Sequence, residues 1–139
     1  NIHSFNHSLM PDIENRTDLE LLMVNFYGKV LLDQVIGHFF TEVVKLDMDK
    51  HIPVIVNFWE SVLLEKSSYQ GNVLDVHERL HHLSAFRDEH FERWVTVFKE
   101  TVDELFAGIN AEKLKQRATS IATVMKIKLV HGGIGLQKS

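Results

Sequence analysis

The 139-residue chain contains no cysteine and only two prolines, Pro11 and Pro53. The absence of cysteine excludes disulfides, thiolate metal ligands and a cysteine nucleophile. Because proline interrupts helices, its scarcity leaves room for long ones. An excess of basic residues is lacking too: the formal net charge is −4, so no electrostatic argument favours nucleic acid as a partner.

Long hydrophobic runs and catalytic motifs are also missing. No stretch approaches the ~20 apolar residues that span a membrane, and no signal-peptide pattern opens the chain. We therefore expect a cytoplasmic protein with no membrane partner. The sequence has no phosphate-binding glycine loop, no Gly-x-Ser-x-Gly turn and no His-Glu-x-x-His motif, and we assign no catalytic residue.

What the chain does contain is apolar residues at three- and four-residue intervals, which predict an all-α fold. We expect a mobile or loosely docked N-terminal arm over residues 1–16, one helical domain over 17–130 and a flexible C-terminal tail over 131–139. Thr17 or Asp18 is the predicted cap of the first helix.

Helix-boundary signals recur further along. Asp47 or Asp49 is expected to cap a helix with Pro53 in its first turn, and Asp88 to cap the next. Gly28 interrupts an apolar helical face, which suggests a close packing contact there. The last long helix is predicted over residues 111–129.

Nine histidines leave metal or cofactor chemistry open. His77 lies among apolar residues. A histidine in such a position is more often a hydrogen-bonded core residue. The more specific hypothesis is that His77 is an axial ligand of haem iron. His81 lies one helical turn beyond His77, and the two would also suit zinc. Tyr27 and Trp94 lie on apolar helical faces, where such side chains usually fill the core.

Five short motifs follow one another along the chain. They are Phe26-Tyr27-Gly28-Lys29-Val30, His51-x-Pro53 leading to Asn57-Phe58-Trp59, Tyr69-x-Gly71-Asn72, Val76-His77, and His90-Phe91-Glu92-Arg93-Trp94. Together they resemble the truncated haemoglobins, with the best match in the third group of that family. The similarity runs from about Asp18 to about Leu129. The resemblance implies a truncated globin, in which two crossed helix pairs form a two-over-two sandwich around haem.

The resemblance also implies roles for single residues. His77 matches the proximal iron ligand, and Tyr27, His51 and Trp94 match the distal residues beside the bound ligand. Phe40 matches an aromatic that stacks on haem, while Ile55 and Phe91 would supply apolar walls. The resemblance assigns no residue to the haem propionates, and Lys50, His38 and Arg79 are the available cations.

The implied cofactor is haem b, held without covalent attachment because no Cys-x-x-Cys-His motif is present. The implied ligands are O₂, CO and NO, with an unidentified reductase as partner and a monomer or weak dimer as the assembly. Tyr O–H and Trp N–H both donate hydrogen bonds, so we expect slow O₂ release. Slow release favours sensing, NO detoxification or peroxidase-like chemistry over transport. Two alternatives stay open: a histidine-rich helical non-haem metal protein and a purely structural helical module.

Overall fold

The computed structural model describes residues 10–43, 47–63 and 86–130. In these ranges the chain forms four α-helices: α1 (Arg16–Val30), α2 (Met48–Leu63), α3 (Asp88–Leu105) and α4 (Ile109–Met125). Two π-helical turns accompany them, at Phe39–Val43 and at Lys126–Val130. The described ranges contain no strand, and the predicted all-α class is confirmed.

The helices form two packed pairs. Helix α1 packs against α2, helix α3 packs against α4, and α1 also contacts α3. This is the expected two-over-two arrangement. None of the described helices is both long and apolar enough to cross a bilayer.

The main core lies where the two pairs meet, and its largest side chains are Phe26, Trp59 and Phe98, all at most 2% exposed. The apolar stripe of α1 is buried in the register that its periodicity predicts: Leu19, Leu22, Met23, Phe26, Tyr27 and Val30. Burial of apolar surface at roughly 25 cal/mol per Å² supplies the main driving force for this packing.

The first helix begins earlier than its sequence suggested. Asn15, rather than Thr17 or Asp18, is its N-cap, and the Asn15 side chain accepts a hydrogen bond from the backbone N–H of Asp18. Just before it, Ile13 is fully buried in the main core. Residues 11–15 are therefore docked more firmly than the arm we expected. The division into arm, domain and tail otherwise stays a prediction.

Asp12 accounts for this docking. Its carboxylate accepts hydrogen bonds from the backbone N–H groups of Asn110 and Ala111, in the first turn of α4. The negative charge of the carboxylate is favourable there, because a helix N-terminus carries partial positive charge. Gly108 has φ +145°, and a Cβ there would lie 2.5 Å from Cγ of Asp12. Only glycine combines that backbone conformation with so close an approach. Helix α4 therefore starts at Ile109, two residues before the predicted Ala111.

Helix α2 confirms one boundary and corrects another. Asp47 lies at its start, where its side chain accepts from the N–H of Asp49 and its carbonyl from the N–H of His51. Pro53, however, lies in the second turn instead of the first. The helix tolerates it at the cost of the backbone hydrogen bond that its missing N–H would have made.

Two further local predictions were wrong. Asp88 is the first residue of α3 and Arg87 its N-cap, because the side chain of His90 accepts the Arg87 backbone N–H at 2.9 Å. A Cβ on Gly28 would meet nothing within 4 Å, so the close contact expected there is absent from the described structure. The tight position is Gly37, where a Cβ would lie 3.0 Å from the carbonyl oxygens of Val30 and Leu31.

Candidate functional site

The candidate site is centred on Tyr27, which α1 places at the edge of the main core. Its side chain is 6% exposed, and burial raises its pKa well above the ordinary tyrosine value. The hydroxyl therefore stays protonated throughout the physiological pH range and can donate a hydrogen bond. Helical periodicity turns Tyr27 inward together with Met23 and Val30, so the position follows from the local sequence.

His51 meets Tyr27 from the first turn of α2. Its Nε2 lies 2.9 Å from the Tyr27 hydroxyl oxygen, within hydrogen-bond distance, and the two rings meet edge to face with centroids 5.0 Å apart. Either group can be the donor, since a neutral imidazole carries one N–H and one acceptor nitrogen. The structure thus brings together two of the three predicted distal residues.

Phe40 closes this group from the first π-helical turn. Its ring lies edge to face against Tyr27, with centroids 5.8 Å apart. Ile55, one helical turn beyond His51, packs half-buried against the same core. The two polar groups are thus set in an apolar wall.

Trp94 occupies the neighbouring part of the wall, on α3. Its indole stacks on Phe98 at a centroid distance of 5.3 Å and meets Phe26 edge to face at 5.7 Å. No described residue accepts a hydrogen bond from its N–H. Phe26 joins Trp94 to Tyr27, because the Phe26 and Tyr27 rings also touch, at 5.1 Å.

A second apolar cluster lies on the other side of Trp94. Its buried members are Phe39, Phe86, Phe91, Ala122, Met125 and Leu129. Phe91, the predicted wall residue of α3, is 8% exposed and packs on Phe86 at a centroid distance of 5.3 Å. Phe40, Trp94 and Ile121 contact both clusters and mark the boundary between them.

These residues fit a flat apolar cofactor that needs dry walls and a few hydrogen-bond donors beside it. The boundary between the clusters is lined by Phe40, Trp94 and Ile121, and the Trp94 indole N–H is a polar group on it. The Tyr27 hydroxyl and the His51 imidazole lie beside it, on the side of Phe40. In the described part of the chain, no group of three or more histidine and carboxylate side chains is arranged to hold a metal ion. The non-haem metal hypothesis therefore finds no donor set there.

Other predicted site residues lie outside the described ranges. His77, the predicted proximal ligand, is one of them, as are His81 and Arg79. Lys50 is exposed in the first turn of α2, and His38 packs on Phe39 with ring centroids 4.1 Å apart.

An ion pair beside the site was not predicted from the sequence. Arg93 Nε donates to Asp33 Oδ1 at 2.7 Å, although the two residues are far apart in the chain. The available local signal was an aspartate placed four residues before Gly37 in a turn, a pattern typical of side-chain capping. Nothing local identifies its arginine partner.

Known proteins resemble this chain in sequence and in fold. No family model matches the chain. It is 30% identical to a group 3 truncated hemoglobin of Campylobacter jejuni over 112 residues, which cover 78% of this chain and 86% of the relative. The crystal structure of the group III truncated hemoglobin from Campylobacter jejuni matches with a TM-score of 0.75 at 30% identity, over 87% of this chain and 95% of that one. Identity of this extent, together with the shared helical arrangement, shows that the chain belongs to the group III truncated haemoglobins.

Proposed function

We propose that the protein binds haem b non-covalently and binds O₂ reversibly, with slow release. The observation that carries the proposal is the 2.9 Å contact between the Tyr27 hydroxyl and His51 Nε2 in an otherwise apolar wall. Buried polar side chains are costly unless they are satisfied, and this pair satisfies itself next to Phe40. Such a pair suits a small molecule that enters between apolar walls and carries negative charge once it is bound.

When bound, haem supplies a ferrous iron that binds a diatomic molecule and draws negative charge onto the outer atom of that molecule. The chain contributes donors for this atom: the Tyr27 O–H and the Trp94 indole N–H, with His51 in a secondary role. Phe40, Ile55 and Phe91 contribute apolar surface that excludes water. Each neutral hydrogen bond is worth about 1 kcal/mol, which slows ligand loss roughly fivefold.

Two donors of this kind favour retention of O₂. A carrier must unload its ligand, so retention supports a role in sensing, NO detoxification or peroxidase-like redox chemistry. CO and NO are the other expected ligands, and a redox role requires a reductase as partner. A cytoplasmic location and a monomeric or weakly dimeric state stay predictions.

His77 is the residue that we propose as the proximal ligand. Neutral imidazole is a usual ligand for haem iron, and one histidine suffices because the porphyrin supplies four nitrogens. Since the chain has no cysteine, no thioether can attach the macrocycle. Acidified butanone should therefore extract the haem.

The test is reconstitution of the purified chain with haem, followed by absorption spectroscopy of His77→Gly against His81→Gly. We expect a Soret band and a ferrous O₂ spectrum for the unchanged protein. His77→Gly should lose haem or show a spectrum that depends on added imidazole, while His81→Gly should behave like the unchanged protein. A chain that stays colourless after reconstitution would refute haem binding, and the imidazole effect in His81→Gly alone would refute the assignment of His77.

A further inference from the structure

Asp33 and Arg93 form an ion pair that ties the turn after α1 to the helix carrying Trp94. The Asp33 side chain is 7% exposed, while that of Arg93 is 41% exposed. The contact is a direct hydrogen bond from Arg93 Nε to Asp33 Oδ1, at 2.7 Å. The pair therefore has one buried partner, Asp33. It differs in this from ion pairs whose partners are both exposed, which contribute little to stability.

Asp33 is rigidly held on its own side. Its second carboxylate oxygen accepts the backbone N–H groups of Val35 and Ile36, at 3.0 and 3.2 Å, and its carbonyl accepts the N–H of Gly37. Burial alone would raise the pKa of Asp33, but the hydrogen bonds from Arg93, Val35 and Ile36 outweigh it and lower that pKa. Asp33 is thus an ionised anchor fixed to the turn.

Both partners lead directly to pocket residues. The turn that Asp33 organises continues into the π-helical turn with Phe40, which touches Tyr27. Arg93 immediately precedes Trp94, whose indole rests edge-on against Phe26 of α1. A helix tethered at residue 93 has little freedom to rotate or slide at residue 94.

We propose that Asp33 and Arg93 are positioning residues, which hold the Trp94 indole at the orientation from which it donates to the diatomic ligand. This inference rests on the proposed function. Neither residue has to touch the ligand, and the effect on ligand release passes through Trp94. Arginine suits the role because its planar guanidinium fixes an orientation, whereas a lysine ammonium supplies only a point charge.

The experiment compares Arg93→Met and Arg93→Lys with Arg117→Met, which removes an exposed arginine from α4. Each change is made in the unchanged background and in the Trp94→Phe background. Release of O₂ from the reconstituted ferrous protein is followed by stopped-flow displacement with CO. The ¹H–¹⁵N resonance of the Trp94 indole is recorded for the same chains, and it reports on the position of Trp94 with or without haem.

We expect Arg93→Met to raise the O₂ release rate about two- to fivefold, with the loss of one hydrogen bond from Trp94 as the upper limit. Arg93→Lys should restore part of the difference, and Arg117→Met should change nothing. In the Trp94→Phe background, Arg93→Met should add almost no further effect, because coupled residues are not additive. The indole resonance should shift or broaden in Arg93→Met.

Two results would overturn the inference. An equal effect of Arg93→Met with and without Trp94 would place its origin elsewhere, for example at Phe40. An unshifted indole resonance would mean that the ion pair stabilises the fold without orienting Trp94. If the chain failed to take up haem, the proposed function would fall, while the indole resonance would still decide whether the pair positions Trp94.

Discussion

Replacing Tyr27 by Phe removes one oxygen atom from the candidate site and leaves its shape intact. In the structure that oxygen lies 2.9 Å from His51 Nε2, and the tyrosine ring touches Phe26, Phe40 and His51. All three ring contacts persist with phenylalanine. The change therefore isolates the hydroxyl from the packing.

The expected effects are a loss of stability and a faster release of O₂. One net hydrogen bond is worth about 1 kcal/mol, so the free energy of unfolding should fall by about that amount and Tm by roughly 3 °C. The O₂ dissociation rate should rise about five- to tenfold, because the lost hydrogen bond is one to a ligand atom that carries negative charge, and such bonds are stronger than neutral ones. CO carries less charge when bound, and its release should change less.

Thr101→Val is the matched control. Thr101 is fully buried on α3, and its hydroxyl donates to the Val97 carbonyl at 2.7 Å. The Thr101→Val change should lower the free energy of unfolding by a similar amount and leave the rate of ligand release unchanged. Stopped-flow release of O₂ and CO, together with thermal unfolding, measures all of these quantities. If Tyr27→Phe matched Thr101→Val in both assays, Tyr27 would be a core residue, and the reasoning that makes it a ligand donor would be refuted.

Three further predictions concern the pocket, the fold and its pH dependence. Trp94→Phe should raise the O₂ release rate about fivefold. If Tyr27 and Trp94 donate to one ligand atom, the release rate of the double variant with Tyr27→Phe should rise by less than the product of the two single effects. A rise equal to that product, measured by stopped flow, would contradict a shared ligand atom. Asp12→Ala should lower the free energy of unfolding by about 1–2 kcal/mol, because the N-terminus of α4 loses its cap. Asp12→Asn, which keeps an acceptor oxygen, should lose less in urea unfolding. An equal loss of stability in both variants would show that capping is not the cause. Burial chiefly, and His38 and Arg87 to a smaller extent, lower the pKa of His90 against the raising effect of Glu89, so folding favours the neutral imidazole. The stability contribution should be complete above about pH 6.5 and decline as the pH falls below it. His90→Gln should flatten this dependence in thermal unfolding, and an unchanged pH profile would assign it to another group.

The sequence by itself determined the parts of the structure that depend on neighbouring residues. Helical periodicity is a local property, so the buried face of α1 and the inward position of Tyr27 could be predicted from residue spacing alone. The capping role of Asp47 is local for the same reason. The five short motifs together carried the family resemblance, which the comparisons confirmed.

Only the tertiary structure decided which distant residues meet. The Tyr27–His51 contact, the capping of α4 by Asp12 and the ion pair of Asp33 with Arg93 join residues that are 24, 99 and 60 positions apart in the chain. The same separation explains the wrong start of α4, because that helix begins where the distant Asp12 accepts its first N–H groups. Helix propensities of neighbouring residues differ by less than about 1 kcal/mol, so they barely distinguish one helix start from the next. One long-range hydrogen bond or buried side chain is therefore enough to decide where a helix begins.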